Sequence, residues 1–243
     1  MLKEGETFIR SVLILKENIR NQSQYPFCLP VFRNISEIKL HPHVTFFVGE
    51  NGTGKSTILE AIAAARGFNP EGGTLNFNFS TRDSHSELHE YIRLVKGTKR
   101  LRDGFFLRAE SFFNFATNVD SLDAIQLYGG RSLHEQSHGE SFFAAIQHRF
   151  SGNGLYILDE PEAALSPVRQ MALLSTIHQL VNNNSQFIIA THSPIIMAYP
   201  DATIFELSEK GLNIVKYEQT EHYSVTKEFI NHHEKMIDIL LGD

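Results

Sequence analysis

The sequence predicts an α/β domain built on a mainly parallel sheet, and three stretches carry that expectation. Residues 44–48, 155–158 and 187–190 are short apolar runs without polar alternation, as strands buried on both faces are. Each run ends in polar residues. Helical spacing follows the first at 58–66, where Leu59, Ile62 and Ala63 share a face and Gly67 stops the run. A further helix, 166–181, precedes the third run, with Ser166 as N-cap, Pro167 at the first helical position and Asn182-Asn183-Asn184 at its end.

With 243 residues, 42% hydrophobic and 21% charged, the chain suits one large domain with a sizeable core. A net charge of −6 argues against whole-surface attraction to nucleic acid, though not against a local basic patch. The single cysteine, Cys28, excludes an internal disulfide framework and suits a reducing cytosol; its expected role is a buried small hydrophobe. No apolar run reaches a membrane-spanning length, and Lys3, Glu4 and Glu6 precede a strand-like run rather than a signal-peptide core. The reading is of a cytoplasmic chain without membrane insertion.

Taken in order, residues 8–15 form a partly alternating, half-exposed strand. Pro26 and Pro30 break the chain, and 31–40 reads as a second strand. This antiparallel opening can supply a wall for a nucleobase, with Tyr25, Phe27, Phe32 and Arg33 as equal candidates for stacking. The turn-rich stretch 69–78 ends the first βα unit. Residues 81–102 read as partly helical around Leu88, Tyr91, Ile92 and Val95. They close in Lys96, Lys99, Arg100 and Arg102, better read as a solvated helix end than as a nucleic-acid patch. Within the aromatic run 105–113, Arg108 and Glu110 need partners, either each other or a site. Residues 203–207 and 212–217 form a hairpin about Lys210-Gly211, and 224–241 an amphipathic helix whose stripe of Val225, Phe229, Met236 and Leu240 is expected to dock on the domain.

The chemistry sits at the ends of the buried runs. Gly49-Glu50-Asn51-Gly52-Thr53-Gly54-Lys55-Ser56-Thr57 meets the phosphate-binding loop pattern in full, between a strand and a helix. Glycines let successive N–H groups turn toward one anion, and the helix N-terminus adds its dipole. Lys55 can reach the β- and γ-phosphates and the Ser56 hydroxyl can ligate Mg²⁺. At the end of 155–158, Asp159 is placed to hold Mg²⁺, and Glu160, one residue nearer the γ-phosphate, to act as general base. Ser137, Gly139 and Glu140 open a helical stretch as a capping or anion-binding arrangement. His192 follows the third run on the side where α/β ligands bind, and a γ-phosphate contact is the favoured reading.

The runs GENGTGKST, QSHGES, LYILDEPEAALSP and IIATHSP, in that order, resemble the ATP-binding-cassette (ABC) ATPases. The likeness is to their non-transporter branch of RecF-, SMC- and overcoming-lysogeny-defect-like proteins and small bacterial ATPases, which EQTEHYSVTKEFINHHE also resembles. The resemblance implies a P-loop NTPase of ABC type, with an N-terminal antiparallel β part and a core of about 1–80 and 151–217. It implies a helical signature lobe over about 81–150 and a C-terminal helix over about 223–241. ATP and Mg²⁺ would be the cofactors and an ATP-dependent homodimer the assembly, with DNA or a defence-system protein as a further partner. Ser137, Gly139 and Glu140 would touch the partner's nucleotide, and Ala163, Ala164, Leu165 and Ser166 would link the two sites. His192 would be the switch histidine and Glu160 the catalytic base. The family's Q-loop glutamine is missing: Glu110 or Arg108 stands there, and a carboxylate could ligate Mg²⁺ where an arginine could not, so Glu110 joins Ser56 and Asp159 as a candidate metal ligand. The alternatives are the ATP-binding subunit of a transporter and a small-molecule kinase on the same core. The signature and the DEPEAALSP run argue against the transporter subunit, and the adjacent acids and the signature-like loop against the kinase.

Overall fold

The computed structural model describes residues 1–75, 86–121 and 125–242. The chain runs through β1 (Ile9–Ile14), a single helical turn α1 (Pro30–Arg33), β2 (Glu37–Lys39), β3 (Val44–Gly49), α2 (Lys55–Arg66), β4 (Gly73–Thr74), β5 (Ile92–Lys96) and β6 (Asp103–Arg108). Helices α3 (Phe112–Ser121) and α4 (His138–Arg149) follow, then β7 (Gly154–Asp159), α5 (Pro167–Asn182) and β8 (Gln186–Ala190). The hairpin β9 (Thr203–Ser208) and β10 (Gly211–Val215) precedes α6 (Glu221–Asn231) and α7 (His233–Leu241).

Seven strands form one sheet in the order β10-β9-β3-β8-β7-β6-β4. The five from β9 to β6 are parallel, and β10 and β4 add antiparallel edges. β3, β7 and β8 are buried at every residue, which is why their sequences lack polar alternation. Their alternating side chains divide between two cores. Phe46, Tyr156, Leu158 and Ile189 pack under α3, α4 and α5, with Phe115, Phe142 and Leu173. Phe47, Ile157 and Ile188 pack on the other face with Ile58 and Ile62 of α2 and Val12 of β1. Each such side chain withdrawn from water contributes roughly 1.5–3 kcal/mol. Because the strands are parallel, Gly49, Arg108, Asp159 and Ala190 all end at one edge of the sheet, and the loops after them share that edge.

A second sheet, β2-β1-β5, is antiparallel and covers α2. It corrects two expectations. β1 is mostly buried rather than half exposed, with Arg10 the outward residue. The stretch around Ile92 and Val95 is strand, not helix: β5 pairs with β1 through Val12↔Leu94 and Ile14↔Ile92. Leu88, Ile92 and Val95 fit a helical stripe, but β1 offers an unpaired edge, and ladder pairing overrides so weak a pattern. Residues 81–85 of that reading lie outside the described residues. Among the described residues, the helical part expected over 81–150 comprises a short turn at Glu87–Tyr91, which bears out the expectation around Leu88 and Tyr91, and then α3, α4 and short turns over 112–149.

The reading of 31–40 as strand holds for β2 alone. Pro30 at the first helical position, with its preset φ, starts a helical turn instead. At the other end, the expected single helix is two, broken at His232 (φ −135°, ψ 35°). Its stripe is not docked: no described residue of α6 or α7 is buried, Val225, Phe229 and Leu240 are 55%, 40% and 71% exposed, and Met236 is half-buried. Cys28 is only half-buried, on a cavity wall with Phe27 and Phe32.

Candidate functional site

The loop from Gly49 to Gly54 is possible because of two close approaches. A Cβ on Gly49 would stand 2.3 Å from the Leu207 carbonyl oxygen, and one on Gly54 (φ +102°) 2.9 Å from Leu29 Cδ1. Gly54 is the N-cap of α2, so the first turn of that helix directs its unpaired N–H groups into the loop. Lys55, 4% exposed, folds back and donates from Nζ to the carbonyl oxygens of Gly49 (2.8 Å) and Glu50 (3.0 Å). Burial pulls its pKa down, and Glu160 and Asp159 oppose that pull.

Ser56 Oγ donates to Asp159 Oδ1 at 3.0 Å, joining the start of α2 to the end of β7 across 103 residues of sequence. Burial raises the Asp159 carboxyl to about 6, against the opposing pull of Arg108 and Ser56. Arg108 comes from β6, where the ladder sets it opposite Asp159. Its guanidinium reaches three carboxylates: Glu60 at 3.2 Å, Glu110 at 3.0 Å and Asp159 at 3.5 Å. The two charges of the aromatic run thus pair with one another, and Arg108 also faces the site. The Glu110 side chain is 81% exposed and meets this cluster through Arg108.

Glu160 takes a left-handed conformation (φ 51°, ψ 52°) as β7 ends, and its N–H donates to the Ala190 carbonyl at 3.0 Å. A non-glycine residue held there is strained, a feature that gathers at functional sites. Glu160 Oε1 stands 3.5 Å from His192 Nε2. The His192 loop is clasped by Glu162, whose carboxylate accepts from the Thr191 hydroxyl (2.8 Å) and the His192 N–H. His192 Nδ1 is 2.9 Å from His222 Nε2. Burial, then Lys55 and His222, lower the His192 pKa, so its ring is neutral at physiological pH.

A cavity of about 330 Å³ collects Lys55, Ser56, Glu60, Arg108, Glu160 and Tyr25. Of the stacking candidates, Phe27 and Phe32 are core residues, 8% and 4% exposed, and Arg33 lies on the surface. Tyr25 reaches α2, its hydroxyl 2.6 Å from Thr57 Oγ1. Among the described residues, the walls of this cavity do not include Ser137, Gly139 or Glu140. Those three cap α4: Ser137 N–H and Oγ both donate to Glu140 Oε2, at 3.1 and 2.7 Å, which holds the Glu140 carboxyl below its usual range. Gly139 presses on the stretch after Glu160, where an added Cβ would lie 2.6 Å from the Ala164 carbonyl oxygen. Sequence reasoning missed Glu60, Glu162 and His222. Glu162 had a faint signal as the third acid of the 159–162 stretch, while nothing local marks His222.

A model of the AAA domain family matches residues 18–142, and one of the AAA ATPase domain matches residues 140–197. The energy-coupling factor transporter ATP-binding protein EcfA2 of Methanospirillum hungatei is 26% identical over 89% of this chain, which spans 58% of that protein's length. CbiO1 of Clostridium perfringens, part of the ABC transporter complex cbiONQ, superposes with a TM-score of 0.53 at 18% identity, over 98% of this chain and 100% of that one. The SMC head domain of Thermotoga maritima gives 0.46 at 16% identity, over 86% and 98%. The CbiO1 likeness shows a shared fold.

Proposed function

The chain belongs to the AAA domain family, and from that premise we propose a P-loop ATPase of ABC type, a Mg²⁺-dependent switch that closes on ATP as a head-to-tail dimer and reopens on hydrolysis. The observation that carries the reading is the 3.0 Å contact of Ser56 Oγ with Asp159 Oδ1, set beside the buried Lys55. A hydroxyl and a carboxylate are the oxygen donors Mg²⁺ takes, the rest coming from phosphates and water. Ser56 and Asp159 would hold the ion, with Glu110 an outer candidate through Arg108. When bound, it would draw charge from the phosphate oxygens.

In this reading the loop N–H groups and Lys55 bind the phosphates, and Tyr25 stands on the side of Thr57. Glu160 takes a proton from the water that attacks the γ-phosphorus as the bond to the β–γ bridging oxygen breaks. His192 contacts the γ-phosphate. Ser137, Gly139 and Glu140 serve a second copy's nucleotide, and Ala163 to Ser166, against which Gly139 rests, would pass closure between the two sites. Support for sharing comes from their place outside the cavity that holds Lys55.

The target of the switch would be DNA or a defence-system protein, and the cytoplasm its location. The single Cys28 supports that location. No helix among the described residues is long and apolar enough to cross a membrane. The EcfA2 relative supports a second reading, the ATP-binding subunit of a transporter. Hydrolysis by the purified chain with and without Mg²⁺, and sedimentation with and without ATP, test the proposal. ATPase independent of Mg²⁺, or a monomer at every ATP concentration, would defeat it. Co-purification with a membrane permease would favour the second reading.

A further inference from the structure

We infer that His222, from the first turn of α6, is a positioning residue that fixes the tautomer of His192 and so directs the His192 Nε2 proton into the phosphate site. The inference rests on the reading of His192 as the γ-phosphate contact.

The two rings meet edge to face, centroids 5.0 Å apart, with His192 Nδ1 2.9 Å from His222 Nε2. One nitrogen of a neutral pair must donate and the other accept. If His192 Nδ1 donated, its Nε2 would carry a lone pair facing Glu160 Oε1 at 3.5 Å, acceptor against acceptor. If His222 Nε2 donates, His192 Nδ1 accepts and Nε2 carries the proton, which then faces the carboxylate and the loop. Of the charged groups around the His192 ring, Lys55 opposes a proton there, while Glu160 and Glu50 favour one. Fixing the outer nitrogen to set the working one is how histidine orientation is commonly secured.

His222 is itself held against the His192 loop by contacts that do not involve either imidazole. The Tyr217 hydroxyl donates to the Pro194 carbonyl at 2.9 Å. Thr220, wholly buried, caps α6 through Tyr223 N–H and lies 3.5 Å from the Met197 sulfur. The segment 217–222 is thus bolted to 194–197, while α6 and α7 beyond it bury no described residue. The imidazole pair is a direct contact between α6 and the His192 loop, and Glu221 and His222 also line a cavity with residues 49–53.

The test is nitrogen-15 NMR of the histidine side chains in the full chain, at a pH where both rings are neutral, with His192→Ala assigning the signal. The expected result is a protonated Nε2 and bare Nδ1 on His192. In His222→Phe, which keeps a ring, the other tautomer gains population. Turnover should fall about tenfold, with ATP affinity within about threefold of the parent. His222→Gln, whose amide can still donate, should keep the tautomer and recover turnover to within about threefold. A protonated Nδ1 in the parent protein overturns the inference, and that reading stands even if a variant fails to fold. So does a His222→Phe chain with unchanged tautomer and turnover. Normal turnover in His192→Ala would instead remove the γ-phosphate reading, with the tautomer result left intact.

Discussion

Arg108 stands opposite Asp159 in the ladder between β6 and β7, its Nε 3.5 Å from Asp159 Oδ2. An arginine there is a fixed cation against a carboxylate that burial otherwise pushes toward its neutral form. Arg108→Gln removes the cation beside two largely buried acids, Asp159 and Glu60, each of which keeps a neutral hydrogen-bond donor in Ser56 or Ser86. The expected loss of stability at neutral pH is about 3 kcal/mol. Glu110→Gln breaks the solvent-facing arm and should change stability by less than about 1 kcal/mol. Urea unfolding of the two variants decides it, and equal losses would mean the inner pairs carry nothing.

The raised Asp159 carboxyl fixes a pH dependence. Its folded value, about 6, exceeds the unfolded value, so its contribution is complete below about pH 4 and is lost as pH rises through about 6. Asp159→Asn removes that penalty. The variant should match the parent near pH 4 and exceed it by about 2–3 kcal/mol above pH 7, while losing Mg²⁺-dependent nucleotide binding. Denaturant midpoints across that range test the sign. A stability gain confined to acid would contradict it.

Lys55→Ala removes the buried amine that now bridges Gly49 and Glu50 carbonyls. ATP affinity should fall by about a hundredfold or more, as for a desolvated charge-assisted contact. Calorimetric titration at parental affinity would sink the assignment of the loop.

Glu160→Gln keeps the left-handed turn's backbone bond to Ala190 and leaves the loop intact. It should bind ATP yet turn over at least about 10²-fold more slowly. With hydrolysis blocked, gel filtration in ATP and Mg²⁺ should show a firmer dimer. Unchanged steady-state turnover refutes the role of base.

Sharing of the site between chains is tested by mixing variants. Ser137→Arg replaces the N-cap of α4 and fills the space before it, at about 1 kcal/mol to the helix. Such a chain should bind ATP through its own Lys55 and fail to hydrolyse it as a homodimer. Mixed with Lys55→Ala it should regain activity, since one composite site is then intact. Full activity of Ser137→Arg by itself would end the head-to-tail reading.

Local pattern was enough for much of this protein. The phosphate-binding loop, the buried runs ending at Asp159 and Ala190, the Ser166-Pro167 helix start and the closing hairpin are each specified by residues within a few positions of one another. Steric and hydrogen-bonding rules at that range are nearly context-free, and the strands, helices and hairpin form where those residues place them. What the tertiary structure decided depends on register and on distant chain. The Arg108–Asp159 pairing follows from how β6 aligns on β7, and a shift of one residue would turn the guanidinium to the other face. β5 is a strand because β1 had an edge to fill, whatever helical spacing its residues show. Glu162 acquires its role only when the loop after β8 lies beside it, and His222 only when α6 is anchored on Pro194 and Met197. The exposed stripe of α6 and α7 shows the same asymmetry: amphipathic spacing announces a face, but only the packed molecule determines whether anything covers it.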